Sequence, residues 1–220
     1  MDNLCHTVAG AVLAEAGLRR RTPLALPTLL LGANLPDLDA LGYARGSLFA
    51  LTFRRGWTHG VLALVLLPVL LTAVMLAWDR LVRRRHATPR ADPAALLLLA
   101  TIAVLSHPLL DLLNTYGVRL LMPFSNRWFY ADTLFIVDPW LWLLFGAGAA
   151  IAWRRRRQGR SQSAAERPAR IALALAVGYI VVMGISALVG RRVLREAAFA
   201  AGITPVSREM LSPVLANPFR

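Results

Sequence analysis

Residues 94–113 form an apolar run interrupted by one histidine and one aspartate, His107 and Asp111, four places apart. About 20 apolar residues are what a helix needs to cross a hydrocarbon layer ~30 Å thick. On such a helix His107 and Asp111 stack on one face, with Asn114 three positions further on. Leu109, Leu110, Leu112 and Leu113 take the other directions. A carboxylate in hydrocarbon costs about 3 kcal/mol unless it faces a partner, a cavity or a metal, and histidine falls under the same constraint. An inward-facing His-x-x-x-Asp pair offers one nitrogen and one oxygen ligand from a single rigid helix. Taken alone, the same three residues also fit a polar cluster capping a helix at the membrane surface.

The rest of the chain is apolar in the same blockwise fashion. A 57% hydrophobic content over 220 residues and a mean hydropathy of +0.53 exclude an ordinary soluble domain. Six apolar segments stand out, at about 4–18, 23–41, 59–78, 94–113, 133–153 and 171–189. They predict an all-α fold, a polytopic membrane helical bundle of about six membrane segments. The first two are short, so each is a full span, a re-entrant helix or an interfacial one. Pro68 and Pro108 fall inside segments, where neighbouring helices re-satisfy the freed carbonyls. Residues 158–168 are expected to be an exposed loop and 191–201 an amphipathic interfacial helix. The bundle thus covers 1–190, and 191–220 is an interfacial helix with a Pro-containing tail. Asp2 precedes the first apolar part and arginines follow it, the reverse of a cleavable signal sequence. The lone Cys5 excludes an intramolecular disulfide; next to His6, it is either a buried thiol or a ligand.

A net charge of +13 and a pI near 11.6 raise the question of nucleic acid. Every basic residue is arginine, however, and most lie in short clusters beside apolar blocks, where they act as topology signals rather than phosphate grips. No nucleic-acid partner is expected. If all six segments cross, the clusters at 19–21, 80–85 and 154–157 share one side, which the positive-inside rule makes cytoplasmic. His6, Asn34, Asp37, Asp39, His59, His107, Asp111, Asn114 and Asp138 then all fall on the opposite face. Three of four histidines and four of twelve acidic residues in one place exceed what solvated caps require. Neutral imidazoles with carboxylates suit zinc or another first-row divalent ion, manganese included. The set exceeds one tetrahedral shell, so two ions fit, as does one ion supported by further carboxylates. A hydrogen-bonded polar plug between helix ends is the alternative. His86 lies in an arginine loop on the other side and receives no role.

Asn34-x-Pro36-Asp37-x-Asp39, Arg55-Gly56-x-Thr58-His59 and Ser106-His107-x-x-x-Asp111, with His6 near the N-terminus, resemble the motifs of the YdjM-type inner-membrane family. The resemblance covers about residues 1–145. That family is described as LexA-regulated, membrane-bound, metal-dependent hydrolases, distantly similar to zinc-dependent phospholipase C and the S1/P1 nucleases. The resemblance implies a bacterial inner-membrane location and phosphoester hydrolysis at clustered zinc ions. It implicates His6, Asp37, His59, His107 and Asp111 as metal ligands, and Asp39 on the same motif. Related proteins continue past a segment like Asn217-Pro218-Phe219-Arg220 into a soluble portion, so the chain is expected to stop where such a portion begins.

These observations predict a metal-dependent hydrolase acting on phosphoesters, lipid-linked ones included, at the outer membrane face. Asp39 or Asp138 is the candidate general base. Arg55, four residues before His59, is a candidate for stabilising phosphoryl charge, or an interfacial arginine beside Trp57. Asn34 and Asn114 are candidates for orienting ligands or donating to substrate. Membrane lipids are the expected partners. A divalent-metal carrier or channel needs polar groups through the bilayer depth, whereas here they gather at one face. A membrane scaffold with a purely structural metal uses the same residues.

Overall fold

The structure, a computed structural model, describes residues 1–83 and 89–203. Among these residues it is all-helical: α1 Asn3–Glu15, α2 Ala25–Asn34, α3 Ser47–Phe53, α4 Val61–Leu81, α5 Pro93–Leu112, α6 Pro139–Arg157 and α7 Gln162–Ala200. A 3-10 segment, Leu35–Arg45, joins α2 to α3. Helix starts are written in the sequence. Asp2, Asp92 and Asp138 each accept from the first free backbone N–H groups of α1, α5 and α6. Pro93 and Pro139 open α5 and α6, where a missing N–H costs nothing.

Among the described residues three helices, α4, α5 and α7, are long and apolar enough to cross a membrane. α6 carries four arginines in its last turn. α1 and α2, with 13 and 10 residues, reach only about 20 and 15 Å against ~30 Å of hydrocarbon. Of the six expected segments, these two are therefore short of a full span. Packing explains how they persist. α1 lies against α6 and α2, α2 against α1 and α5, α5 against α4, and α6 against α7. The short pair is thus the middle of the bundle, flanked by longer helices on both sides.

Close approach depends on small residues, as expected where lipid supplies no hydrophobic drive between helices. A Cβ on Gly10 would sit 2.7 Å from the Leu29 carbonyl oxygen, and one on Gly32 2.7 Å from the Ala103 side chain. α5 buries Ala95, Leu96, Leu99, Ala100, Ala103 and Val104 along the face that continues into His107 and Asp111. The helix register that makes the apolar seam also aims the two polar side chains inward.

The C-terminal third departs from expectation. α7 starts at Gln162 and runs unbroken to Ala200, so most of the expected 158–168 loop and the separate interfacial helix from 191 are parts of one 39-residue helix. Ser-Ala-Ala-Glu-Arg is compatible with helix, and Glu166 is buried there between Arg20 and Arg170. Pro168 leaves the Ala164 carbonyl without its helical N–H, and the Arg155 guanidinium donates to it at 3.2 Å. The tail beyond Ile203 and the loop bearing Arg84, Arg85 and His86 lie outside the described residues.

The two ends of the bundle differ in chemistry. At one end Glu15 and Glu166 are buried among Arg19, Arg20, Arg156 and Arg170, and Asp79 pairs with Arg83. Among the described residues, the other end holds the histidines and the remaining buried aspartates.

Candidate metal centre

Four elements deliver the site. α1 brings His6, the 3-10 segment after α2 brings Asp37 and Asp39, the turn before α4 brings Arg55 and His59, and α5 brings His107 and Asp111. His6, His59, His107 and Asp111 are fully buried, and Asp37 reaches the surface slightly more than the rest.

Second contacts set the tautomers. His107 Nδ1–H donates to the Ala33 carbonyl oxygen at 2.6 Å, an atom that can only accept, so its proton sits on Nδ1. Thr58 Oγ1 donates to Asp39 Oδ2 at 3.0 Å and accepts from His59 Nδ1 at 2.9 Å; Asp39 Oδ2 lies 3.3 Å from that nitrogen. In their neutral forms both rings present a bare Nε2 lone pair, and these two nitrogens face each other at 3.1 Å. Facing lone pairs repel unless a cation lies among them. Asp111 Oδ2 sits 3.3 Å from His59 Nε2 and 3.4 Å from His107 Nε2, and Asp37 Oδ1 sits 3.7 Å from His107 Nε2. Neither oxygen has a hydrogen-bond donor.

These separations carry a metric argument. A tetrahedral ion with bonds of 2.0–2.1 Å has ligand–ligand edges of about 3.3–3.4 Å. The four measured edges, 3.1, 3.3, 3.4 and 3.7 Å, bracket that value, and all four donor atoms lie within 4.8 Å of one another. Asp37, His59, His107 and Asp111 therefore fit a divalent ion, two nitrogens and two oxygens, with Asp39 and Ala33 orienting the rings as metal-bound imidazoles are commonly oriented.

His6 lies beside the four rather than among them. Its ring stacks on His107 with centroids 3.7 Å apart, and Nε2 is 3.4 Å from Asp111 Oδ1, the oxygen turned away from the donor set. The Met1 amino group and Arg55 Nη2, the latter at 3.1 Å, meet that same oxygen. Arg55 is held from all sides. Its backbone N–H donates to Asp39 Oδ2 at 2.6 Å, Nη1 donates to Asn114 Oδ1 and the Gly117 carbonyl, and the guanidinium lies over the Tyr116 ring. Its φ of 53° is a left-handed conformation few non-glycine residues adopt. Asn114 thus orients Arg55, also accepting from the Tyr116 and Gly117 backbone. Asn34 instead ties α2 to α1 through Thr7. Asp138 caps α6 and accepts from Tyr179 at 2.8 Å, so both its oxygens are engaged outside the four-donor group.

Sequence reasoning missed several contributors. Thr58 was visible in the Arg-Gly-x-Thr-His string, but its link between Asp39 and His59 depends on the turn. Arg119 locks that turn by donating to the Thr52 and Arg54 carbonyls, and nothing in its neighbourhood marks it.

The YdjM inner membrane protein family matches residues 1–189. This chain belongs to that family. The chain is similar to YfhP of Bacillus subtilis strain 168, an uncharacterized protein 26% identical over 161 residues, 69% of this chain and 46% of that protein. The inner membrane protein YbcI of Escherichia coli strain K12 is 32% identical over 102 residues, 45% of this chain and 53% of that protein. The matched parts span about half the length of these curated relatives. No solved structure matches the chain. Family membership and the apolar helices make it an inner membrane protein, and its His/Asp cluster is suited to a metal ion.

Proposed function

We propose that the protein is a membrane-embedded, metal-dependent hydrolase of phosphoesters, with Asp37, His59, His107 and Asp111 holding one zinc or manganese ion. The observation that carries this is the pair of bare imidazole nitrogens 3.1 Å apart, flanked by two undonated carboxylate oxygens. An ion held by these four residues would, on expanding to a fifth position, acidify a water and polarise a phosphoryl oxygen. The Arg55 guanidinium lies next to Asp111, held there by Asn114 and Gly117, and its fixed positive charge would offset charge building on phosphoryl oxygens. Asp39 positions His59 and the Arg55 backbone, which leaves His6 better placed than Asp39 or Asp138 to take a proton. Both His6 ring nitrogens lack a hydrogen-bond partner.

Substrate approaches past Asp37, the most open of the four donors. Leu38 and Leu41, on the same 3-10 segment as Asp37, and Leu48 and Leu51 on α3, which packs against that segment, are exposed apolar residues that favour a lipid-linked ester presented at the membrane surface. With the arginine-rich end cytoplasmic, the site faces outward. A carrier is less favoured because the buried face of α5 from Ala95 to Val104 is apolar, with no polar stepping stones toward the far end.

The test is hydrolysis of phosphodiester and phospholipid substrates, and ion flux, on one proteoliposome preparation with and without chelator. The expected result is chelator-sensitive hydrolysis, reduced at least about tenfold in Asp111→Asn, where the ligand charge is lost. Arg55→Lys should lower turnover while metal stays bound, since an ammonium cannot make the contacts to Asn114, Gly117 and Asp111 that hold the charge in place. Chelator-insensitive hydrolysis, or flux without hydrolysis, contradicts the proposal.

A further inference from the structure

A groove of about 600 Å³ runs along the outside of the bundle between α6 and α7, far from the histidines in function and chemistry. Leu143, Leu144, Ile151, Ile171 and Leu175 form its walls. Gly148 and Ala172 also line it, so close together that a Cβ on Gly148 would collide with the Ala172 side chain. The apolar walls are mostly exposed to the bilayer side, and one end of the groove is closed by Arg155 and Arg167.

The arginines there are unlike their neighbours. Arg19 and Arg156 pair with Glu15, and Arg20 and Arg170 pair with Glu166. Arg155 and Arg167 have no carboxylate partner among the described residues; Arg155 donates only to the Ala164 carbonyl. Two unneutralised guanidinium groups thus cap an apolar channel at the arginine-rich end, where lipid headgroups lie. From Leu144 to Arg155 the groove follows about 16 Å of helix, close to the depth of one leaflet. We propose that this groove seats one anionic phospholipid, its phosphate between Arg155 and Arg167 and one acyl chain along the α6–α7 seam. Basic pockets between membrane helices are suited to anionic headgroups, and a planar guanidinium pair matches phosphate oxygens. The seat is separate from the metal centre and does not depend on hydrolysis.

The experiment measures lipid retention by native mass spectrometry after equilibrating the purified protein with equal phosphatidylglycerol and phosphatidylethanolamine. The expected result is one retained phosphatidylglycerol per chain. Arg155→Gln with Arg167→Gln should weaken it about thirtyfold, at roughly one basic-residue contribution each. Ala147→Phe, which fills the groove without touching charge, should also displace it. Arg160→Gln, an exposed arginine at the same end but outside the groove, should not. Equal retention of the two lipids overturns the proposal, as does unchanged binding in the double variant. If inorganic phosphate displaces nothing in wild type, the lipid is the ligand. If it stabilises the protein as well as the lipid does, the arginines hold a free anion and the groove is no lipid seat. A dimer lost in Ala147→Phe would instead place a second copy of this chain there, and also overturns it.

Discussion

At the residue scale, the centre depends on which nitrogen of each ring carries the proton. Ala33 and the Thr58–Asp39 pair fix that choice for His107 and His59. Asp39→Ala should therefore lower metal affinity about 10–100-fold without removing a ligand, measured by competition with a chromogenic chelator. An unchanged affinity would mean that His59 is oriented by something else. The sequence made the donors legible because His107 and Asp111 share a helical face, and because the other polar residues cluster at segment ends. It did not separate ligands from supports. Asp37 and Asp39 are two apart on one strand of text, yet one faces the donor set and the other holds a ring from behind. Asp138-Pro139-Trp140 looks equally like a catalytic carboxylate and a helix start, and the geometry makes it a cap.

At the scale of elements, α2 is the support on which the centre rests. It is pressed between α1 and α5 through Gly10 and Gly32, and its last turn supplies the Ala33 carbonyl that holds His107. Gly32→Val should cost about 1–3 kcal/mol by overpacking and should weaken metal binding with it. Gly178→Ala, where nothing lies within 4 Å of the added Cβ, should leave both unchanged in a thermal melt and a metal assay. Stability lost in Gly32→Val with metal binding intact would separate the helix seam from the centre. The apolar blocks marked helices well, since composition alone decides which stretches can leave water. Length was less legible. α1 and α2 are shorter than a span because their neighbours, not lipid, cover them. The 158–168 stretch looked like a loop because Pro168 and polar residues dominate it, while the Arg155 contact that repairs the helix at Ala164 comes from another helix.

At the scale of the whole molecule, the arginine-rich end and the histidine end are opposite poles of one bundle. The positive-inside rule then predicts that reporters placed after Arg85 or within 158–160 read cytoplasmic, and reporters at Ser47 or Asn126 external. Ser47 and Arg85 reporting the same side would undo the outward placement of the site. Clustering of charge was readable in the sequence, but that Glu15 and Glu166 tie α1, α6 and α7 together at that pole was not, because the pairs join residues about 140 or more positions apart. The central claim is that Asp37, His59, His107 and Asp111 bind one divalent ion. Metal content per chain, measured by mass spectrometry of the purified protein, tests it most directly. About one zinc or manganese per chain is expected in the wild type, near none in His59→Ala, His107→Ala or Asp111→Ala, and no change in His86→Ala. Equal metal in all five proteins, or none in the wild type, would contradict it and leave a hydrogen-bonded polar plug in its place.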